Sequence, residues 1–363
     1  MGENQKSEKK LLEEKTVADS MALDSMLSEI SIPPMPANRL KLLSIIRLPN
    51  DKINIGPLTR LLAVDPGLFA MILKLANSSY YRGVEKISSL RSAVTRIGLT
   101  DTVNAISFFC VQNTLPAFPT FKGFSSEAYW KFSWACAIVA RRLGHPNLGM
   151  KVLPGELYMA GLLHGIGKLM MGIHYPGDFE KCLAKAAKTK QPLHKIEQEI
   201  FGTVDGFLTS KIMKFWNLPD NICAGVAFYQ IPELAPPEYR EIAGLIQFAC
   251  KITADMGIGV NGDPCEMDLS ATYIAGQSHL VLSRESVQMD LVKELKETVR
   301  QKSQSMAGVT SQGGPKASNT DVNQNNCSEE PLPCDPSYPD PPQQKLFFRL
   351  CSFFRKLIFK FNH

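Results

Sequence analysis

The side chains of this chain that could carry chemistry near neutral pH are six histidines and nine cysteines in 363 residues. His164 has the most suggestive context, in the run Ala160-Gly161-Leu162-Leu163-His164-Gly165-Ile166-Gly167-Lys168. A histidine followed directly by a carboxylate can help hold a divalent ion that activates water for attack on phosphorus. Here the next residue is Gly165, which has no side chain to offer a metal. A catalytic ion needs at least three protein ligands and an open position for water, so His164 alone makes no site. His174 lies ten residues past His164, off its helical face and close to Pro176. His145 precedes Pro146 in a loop, and His194 adds nothing local. The expectation is no cofactor and no metal, with His164 a buried polar residue hydrogen-bonded between helices.

The cysteines stand at 110, 136, 182, 223, 250, 265, 327, 334 and 351, with no CxxC pair. They read as reduced thiols that fill small core positions in a cytoplasm. The spacing of a structural zinc site is absent, and no Ser-His-Asp or Cys-His arrangement has a motif context. Gly161, Gly165 and Gly167 fall within a helical pattern rather than a strand-loop-helix turn. That favours close helix packing over a phosphate cradle. Trp130, Trp134 and Trp216 read as core, and Tyr80-Tyr81-Arg82 as a loop surface.

The elements that must position these residues are helices. Residues 1–30 can form an amphipathic helix, and Ile32-Pro33-Pro34-Met35-Pro36 then forces an extended lead-in. Helical spacing marks 39–48 and 59–64; Asp65 serves as N-cap and Pro66 as first residue of a helix over 67–76. Ser88 or Ser89 caps a helix over 90–97 that Gly98 closes, and Thr100 starts the next. Further helices are expected over 130–143, 156–171, 193–216, 219–228, 238–256 and 284–301. No alternating strand pattern occurs. The predicted class is all-α: a body of about 270 residues preceded by the helix of residues 1–30, then a Ser/Gly/Asn/Pro-rich disordered linker over 304–344.

Residues 345–363 differ again. Leu346, Leu350, Phe353, Leu357 and Phe361 make an apolar helical stripe, widened by Phe347, Phe354 and Ile358. Lys345, Arg349, Lys356 and Lys360 edge it, and Arg355 lies opposite. Such a helix suits an anionic membrane surface or an apolar groove of protein; both partners stay open. This tail carries five basic residues and no acid, which accounts for the whole net charge of +5. The body is therefore near neutral and unsuited to a phosphate backbone, so no nucleic acid is expected. No apolar run approaches the ~20 residues of a membrane span, and the charged N-terminus does not read as a signal peptide. The expected location is the cytoplasm, with the tail able to reach the inner face of the plasma membrane.

Several segments, in order, resemble the HDOD family, helical relatives of the HD metal-dependent phosphohydrolases. They are Ile32-Pro33-Pro34-Met35-Pro36, Asp65-Pro66-Gly67-Leu68, Leu73–Ser78, Ile87–Leu90, Ala93-Val94, Ile97-Gly98, Trp130, Ala160–His164, Ile166–Lys168, Phe201-Gly202 and Trp216–Pro219. The resemblance covers roughly 32–230 and implies an HD/HDOD-like helical bundle over 31–232, with a helical extension over 233–303. It also implies degeneracy at the positions where HD enzymes hold metal: Phe132, Gly165 after His164, Asp205, and Tyr229-Gln230 stand where His or Asp can occur in relatives. The function implied is a non-catalytic signalling scaffold that binds protein partners, and a small ligand in some cases, in bacterial motility, surface-structure or cyclic-dinucleotide pathways. The competing expectation is a phosphohydrolase, such as a cyclic-dinucleotide phosphodiesterase, working with His164 and Asp205.

Overall fold

The structure is a computed structural model. It describes residues 21–310 except for positions 79, 82, 84, 145–147, 149–151 and 265–267. The expected linker beyond 310 and the basic tail lie outside the described residues, as do His145 and Arg82. Among the described residues the architecture is all-α, as predicted, and the only β pairing is an isolated bridge between Phe121 and Phe124.

A helical segment over 21–29 (α1) buries Leu23 and Met26, and the extended lead-in follows. Five helices make the first half: α2 (Ala37–Ile46), α3 (Ile55–Val64), α4 (Pro66–Ala76), α5 (Leu90–Ile97) and α6 (Leu99–Gln112). Their boundaries follow the local chemistry. The Asp65 carboxylate accepts from Gly67 N and Leu68 N, each at 3.1 Å, with Pro66 opening α4. It also pairs with Arg39 at 3.2 Å, so one cap ties α2 to α4. Ser89 caps α5 through Ser92 N, and Gly98, at φ +85°, turns the chain straight into α6. Asn77 donates to the Leu73 and Ile87 carbonyls and accepts from Ile87 N, which closes the loop between α4 and α5.

The second half is α7 (Ser126–Leu143), α8 (Pro154–Leu163), α9 (Ile166–His174), α10 (Pro176–Thr189), α11 (Leu193–Phe201), α12 (Asp205–Phe215), α13 (Asp220–Ala227), α14 (Arg240–Asp255) and α15 (Glu285–Thr310). α7 packs on α8 and α14, α9 on α10 and α12, and α13 on α12, α14 and α8. α15 packs on α7 and α4, with Arg142–Glu294 and Lys302–Asp101 ion pairs at its edges. α1 docks on this later half: Tyr175 donates to Glu29 at 2.7 Å, and Lys211 faces Asp24 at 3.9 Å. The indole of Trp216 donates to the Pro33 carbonyl at 2.9 Å, so the C-terminal end of α12 holds the proline lead-in.

Four expectations need correction. The single helix expected over 156–171 is two, broken at His164-Gly165, because Gly165 leaves the helix at φ −109°, ψ 15°. The one expected over 193–216 breaks at Gly202–Val204, where Gly202 takes φ +68°. α10 was not expected at all. α15 also continues to Thr310, past the expected linker boundary at 304.

Candidate functional site

Both helix breaks point into one place. His164 sits where α8 ends, and Asp205 is the first residue of α12. The two turns are held against each other by Thr209, whose hydroxyl accepts from Gly167 N at 2.8 Å and donates to the Asp205 carbonyl at 2.8 Å. A Cβ added at Gly167 would stand 2.2 Å from that carbonyl. Glycine is needed there for the two backbones to approach. Gly161 serves the same purpose against α7, where a Cβ would come within 3.0 Å of the Ala137 Cα and the Cys136 carbonyl.

All six positions singled out from the sequence line this place. The Phe132 ring lies 5.9 Å from the His164 ring, and the Tyr229 ring lies 5.2 Å away, edge to face. Tyr229 Oη donates to Asp205 Oδ2 at 3.2 Å and Gln230 Nε2 donates to Asp205 Oδ1 at 2.7 Å. Gly165 faces the Tyr129 ring, and a Cβ there would meet it at 3.1 Å. Phe132, His164, Asp205 and Tyr229 are buried. The space around His164 and Asp205 is occupied by rings and an amide.

Three further charged groups complete the site. Glu197, on α11, accepts from Asp205 N through Oε2 at 3.1 Å. Its carboxyl is pushed well above the ordinary range by burial and then by the Asp205 charge. Lys168 is buried, with Nζ donating to the Asn261 carbonyl at 3.0 Å. Burial opposes its charge, but Asp205, then Glu197 and Asp263, outweigh that and raise its pKa. His194 stands close enough to feel Asp263, Asp205 and Lys168, with burial lowering its pKa; it is nearer the site than its sequence position suggested. The loop after α14 lids this network. It crosses α7 closely, with Val260 N bonded to the Ala128 carbonyl at 3.0 Å. Gly259, at φ +69°, has no room for a Cβ, which would fall 2.2 Å from the same oxygen.

Below the network lies a thiol–imidazole cluster. Cys136 on α7 and Cys250 on α14 bring their sulfurs to 3.5 Å. His164 is hydrogen-bonded through Nδ1 to the Gly161 carbonyl at 2.7 Å, and its side chain bonds to Cys250. Burial alone would raise the Cys250 thiol, but the Cys136 hydrogen bond, the His164 charge and Lys168 pull it down to about 5. Burial alone would depress His164, and the Cys250 thiolate raises it instead. Cys136 is driven up, by burial first.

The HDOD domain family matches residues 32–232. The chain belongs to the HDOD family. A relative from Treponema pallidum (strain Nichols), an uncharacterized protein, is 24% identical over 219 residues; the match spans 60% of this chain and 41% of that relative, less than half its length. Among solved structures, an HDOD domain protein of unknown function from Geobacter sulfurreducens aligns at TM-score 0.59 and 20% identity, over 80% of this chain and 95% of that one. A Marinobacter aquaeolei VT8 protein, provisionally named for signal transduction, aligns at TM-score 0.65 and 22% identity, over 81% and 65%. A Shewanella amazonensis SB2B protein, provisionally named for phosphohydrolase activity, aligns at TM-score 0.55 and 20% identity, over 80% and 96%. At these identities the likeness is one of fold.

Within this HDOD fold the residues do not fit the divalent ion of the HD enzymes. Such ions take carboxylate and imidazole ligands with room for water. Here Gly165 offers nothing, Phe132 and Tyr229 offer rings, and Asp205 is engaged by Tyr229 and Gln230. The sequence offers no motif context for a Cys–His arrangement, yet the fold brings Cys136 and Cys250 together beside His164. Cys136 and Cys250 stand 114 positions apart, so no local spacing could reveal them. The reading of the cysteines as core thiols does hold for Cys110, Cys136, Cys182, Cys223 and Cys250, all buried and free. No helix among the described residues is long and apolar enough to cross a membrane.

Proposed function

We propose that this HDOD protein is a non-catalytic scaffold of a bacterial signalling pathway that acts by binding protein partners. Family membership and an all-α fold shared with a protein named for signal transduction support the signalling half of this reading. One observation carries the non-catalytic half. The position where an HD enzyme has its metal-holding carboxylate is Gly165, and the space beyond its Cα is filled by Tyr129. Without that carboxylate, His164 would have to act with Asp205, whose oxygens are engaged by Tyr229 and Gln230. A phosphoryl substrate would have to displace two rings and break a buried charge network, which costs several kcal/mol before any chemistry begins.

The test is turnover by the purified full chain with Mn(II), Fe(II) or Zn(II). The substrates are a generic phosphodiester and a cyclic dinucleotide, assayed beside His164→Ala and Asp205→Asn. The expected result is no turnover above the metal-only blank. Turnover that disappears in either variant would replace this reading with the phosphohydrolase one. The tail, proposed to meet an anionic membrane or a protein groove, is tested separately by deleting 345–363 and measuring binding to anionic vesicles.

A further inference from the structure

The donors beneath the remnant site suit a different ion. Among the described residues, Cys136, His164 and Cys250 are a group of three His, Cys, Asp or Glu side chains whose ligand atoms all lie within 4.8 Å of one another, and all three are buried. They come from three separate elements: α7, the α8–α9 break, and α14. The Gly161 carbonyl takes His164 Nδ1, which leaves Nε2 as the nitrogen a metal would take once its hydrogen bond to Cys250 gives way. Metal-bound histidines are held in this way, with the second ring nitrogen donating to a carbonyl or carboxylate. Two thiolates on one ion at ~2.3 Å sit about 3.8 Å apart. The present sulfur separation of 3.5 Å needs to open by only a few tenths of an ångström.

Sulfur and imidazole together are soft donors, which select Cu(I) and Zn(II) over Mg(II), Ca(II) or Mn(II). Structural zinc fills four positions, whereas three soft donors suffice for Cu(I). The Phe132 and Tyr229 rings lie against His164 and bring no strong ligand to a fourth position. Lys168 lies close enough to Cys250 to interact with its charge, which offsets the negative charge of a bis-thiolate Cu(I) centre.

We propose that Cys136, His164 and Cys250 bind one thiophilic metal ion, with Cu(I) preferred over Zn(II), in place of the hard ion lost from the HD site. Occupancy would join α7, the α8–α9 break and α14 through one centre, so metal state becomes an input to the scaffold. The proposal stands apart from the signalling reading: its test measures binding and is indifferent to partners.

The experiment titrates the reduced full chain, under oxygen exclusion, with Cu(I) against bicinchoninate, and in parallel with Zn(II) against a chromophoric zinc chelator. Expected are one Cu(I) per chain with an ultraviolet thiolate-to-copper absorption, and weaker Zn(II) binding. Cys136→Ala, Cys250→Ala and His164→Gln should each weaken Cu(I) binding by at least about 100-fold, while Cys223→Ala, a buried thiol outside the cluster, should leave it unchanged. Circular dichroism of each variant checks that the helices persist. The wild-type titration alone is decisive in the negative: no competition for Cu(I) overturns the site. Undiminished Cu(I) binding by a Cys136→Ala/Cys250→Ala variant overturns the ligand assignment, and tighter Zn(II) than Cu(I) binding overturns the preference.

Discussion

Removing the Asp205 carboxylate is the sharpest probe of whether the remnant site is structure or machinery. Asp205 is fully buried. It accepts from Gln230 at 2.7 Å and from Tyr229 at 3.2 Å, and it is the largest favourable influence on the buried Lys168 ammonium. Asp205→Ala deletes two hydrogen bonds to a charged acceptor, each of order 1.5–3 kcal/mol, and leaves Lys168 short of its main counter-charge. Breaking a buried pair from one side costs about 3–5 kcal/mol, and the lost bonds are part of that figure. For a chain of this size the expected fall in Tm is about 5–8 °C. Asp205→Asn keeps one acceptor oxygen, so it should lose clearly less while still removing the charge. Urea unfolding followed by circular dichroism gives both values. A loss below about 1 kcal/mol for Asp205→Ala would refute the reasoning, because it would mean that Asp205 is solvated and the pocket open, as a working metal site requires.

Three other outcomes are expected. The Glu197 carboxyl holds its proton above the unfolded value of 4.5, so the folded state binds the extra proton and stability declines as pH rises past that value. Glu197→Gln, which retains an acceptor for Asp205 N, should gain on the wild type as pH rises above that value; unfolding curves across an upward pH series check the slope, and parallel curves would dismiss it. Gly167→Ala should destabilise by about 1–3 kcal/mol or more, since its Cβ would meet backbone at 2.2 Å; a neutral result in thermal unfolding would contradict the close α9–α12 approach. Gly259→Ala should cost stability and raise hydrogen exchange at Val260, whose amide bonds to Ala128; an unchanged exchange rate would show that the loop does not clamp α7.

What the sequence revealed depended on whether the signal was local. The Asp65 and Ser89 caps and the Gly98 stop are decided within three or four residues, and they were legible. The breaks at His164-Gly165 and Gly202–Val204 were not, because apolar residues keep helical spacing on both sides of each gap. α10 was missed because it buries only a narrow face: Phe179, Cys182, Leu183 and Ala186. The six remnant positions were found through the family resemblance, and the fold does gather them. Their mutual roles were not legible, since the Asp205–Gln230 and Phe132–His164 contacts depend on how four helices meet. Cys136 and Cys250 carried no signal at all, each being a small apolar position within a packed helix.

The bond from the Trp216 indole to the Pro33 carbonyl spans 183 positions. During synthesis at roughly 5–20 residues per second, the lead-in therefore waits on the order of ten to forty seconds for its partner to emerge. α1 waits as well, because its own partners, Tyr175 and Lys211, come late in the chain. α2 to α6 can pack among themselves in that interval, while α1 still lacks Tyr175 and Lys211. Residues 21–35 are thus made early and sheltered late, so they stay open to solvent, and to other chains, for longer than the helices that follow them.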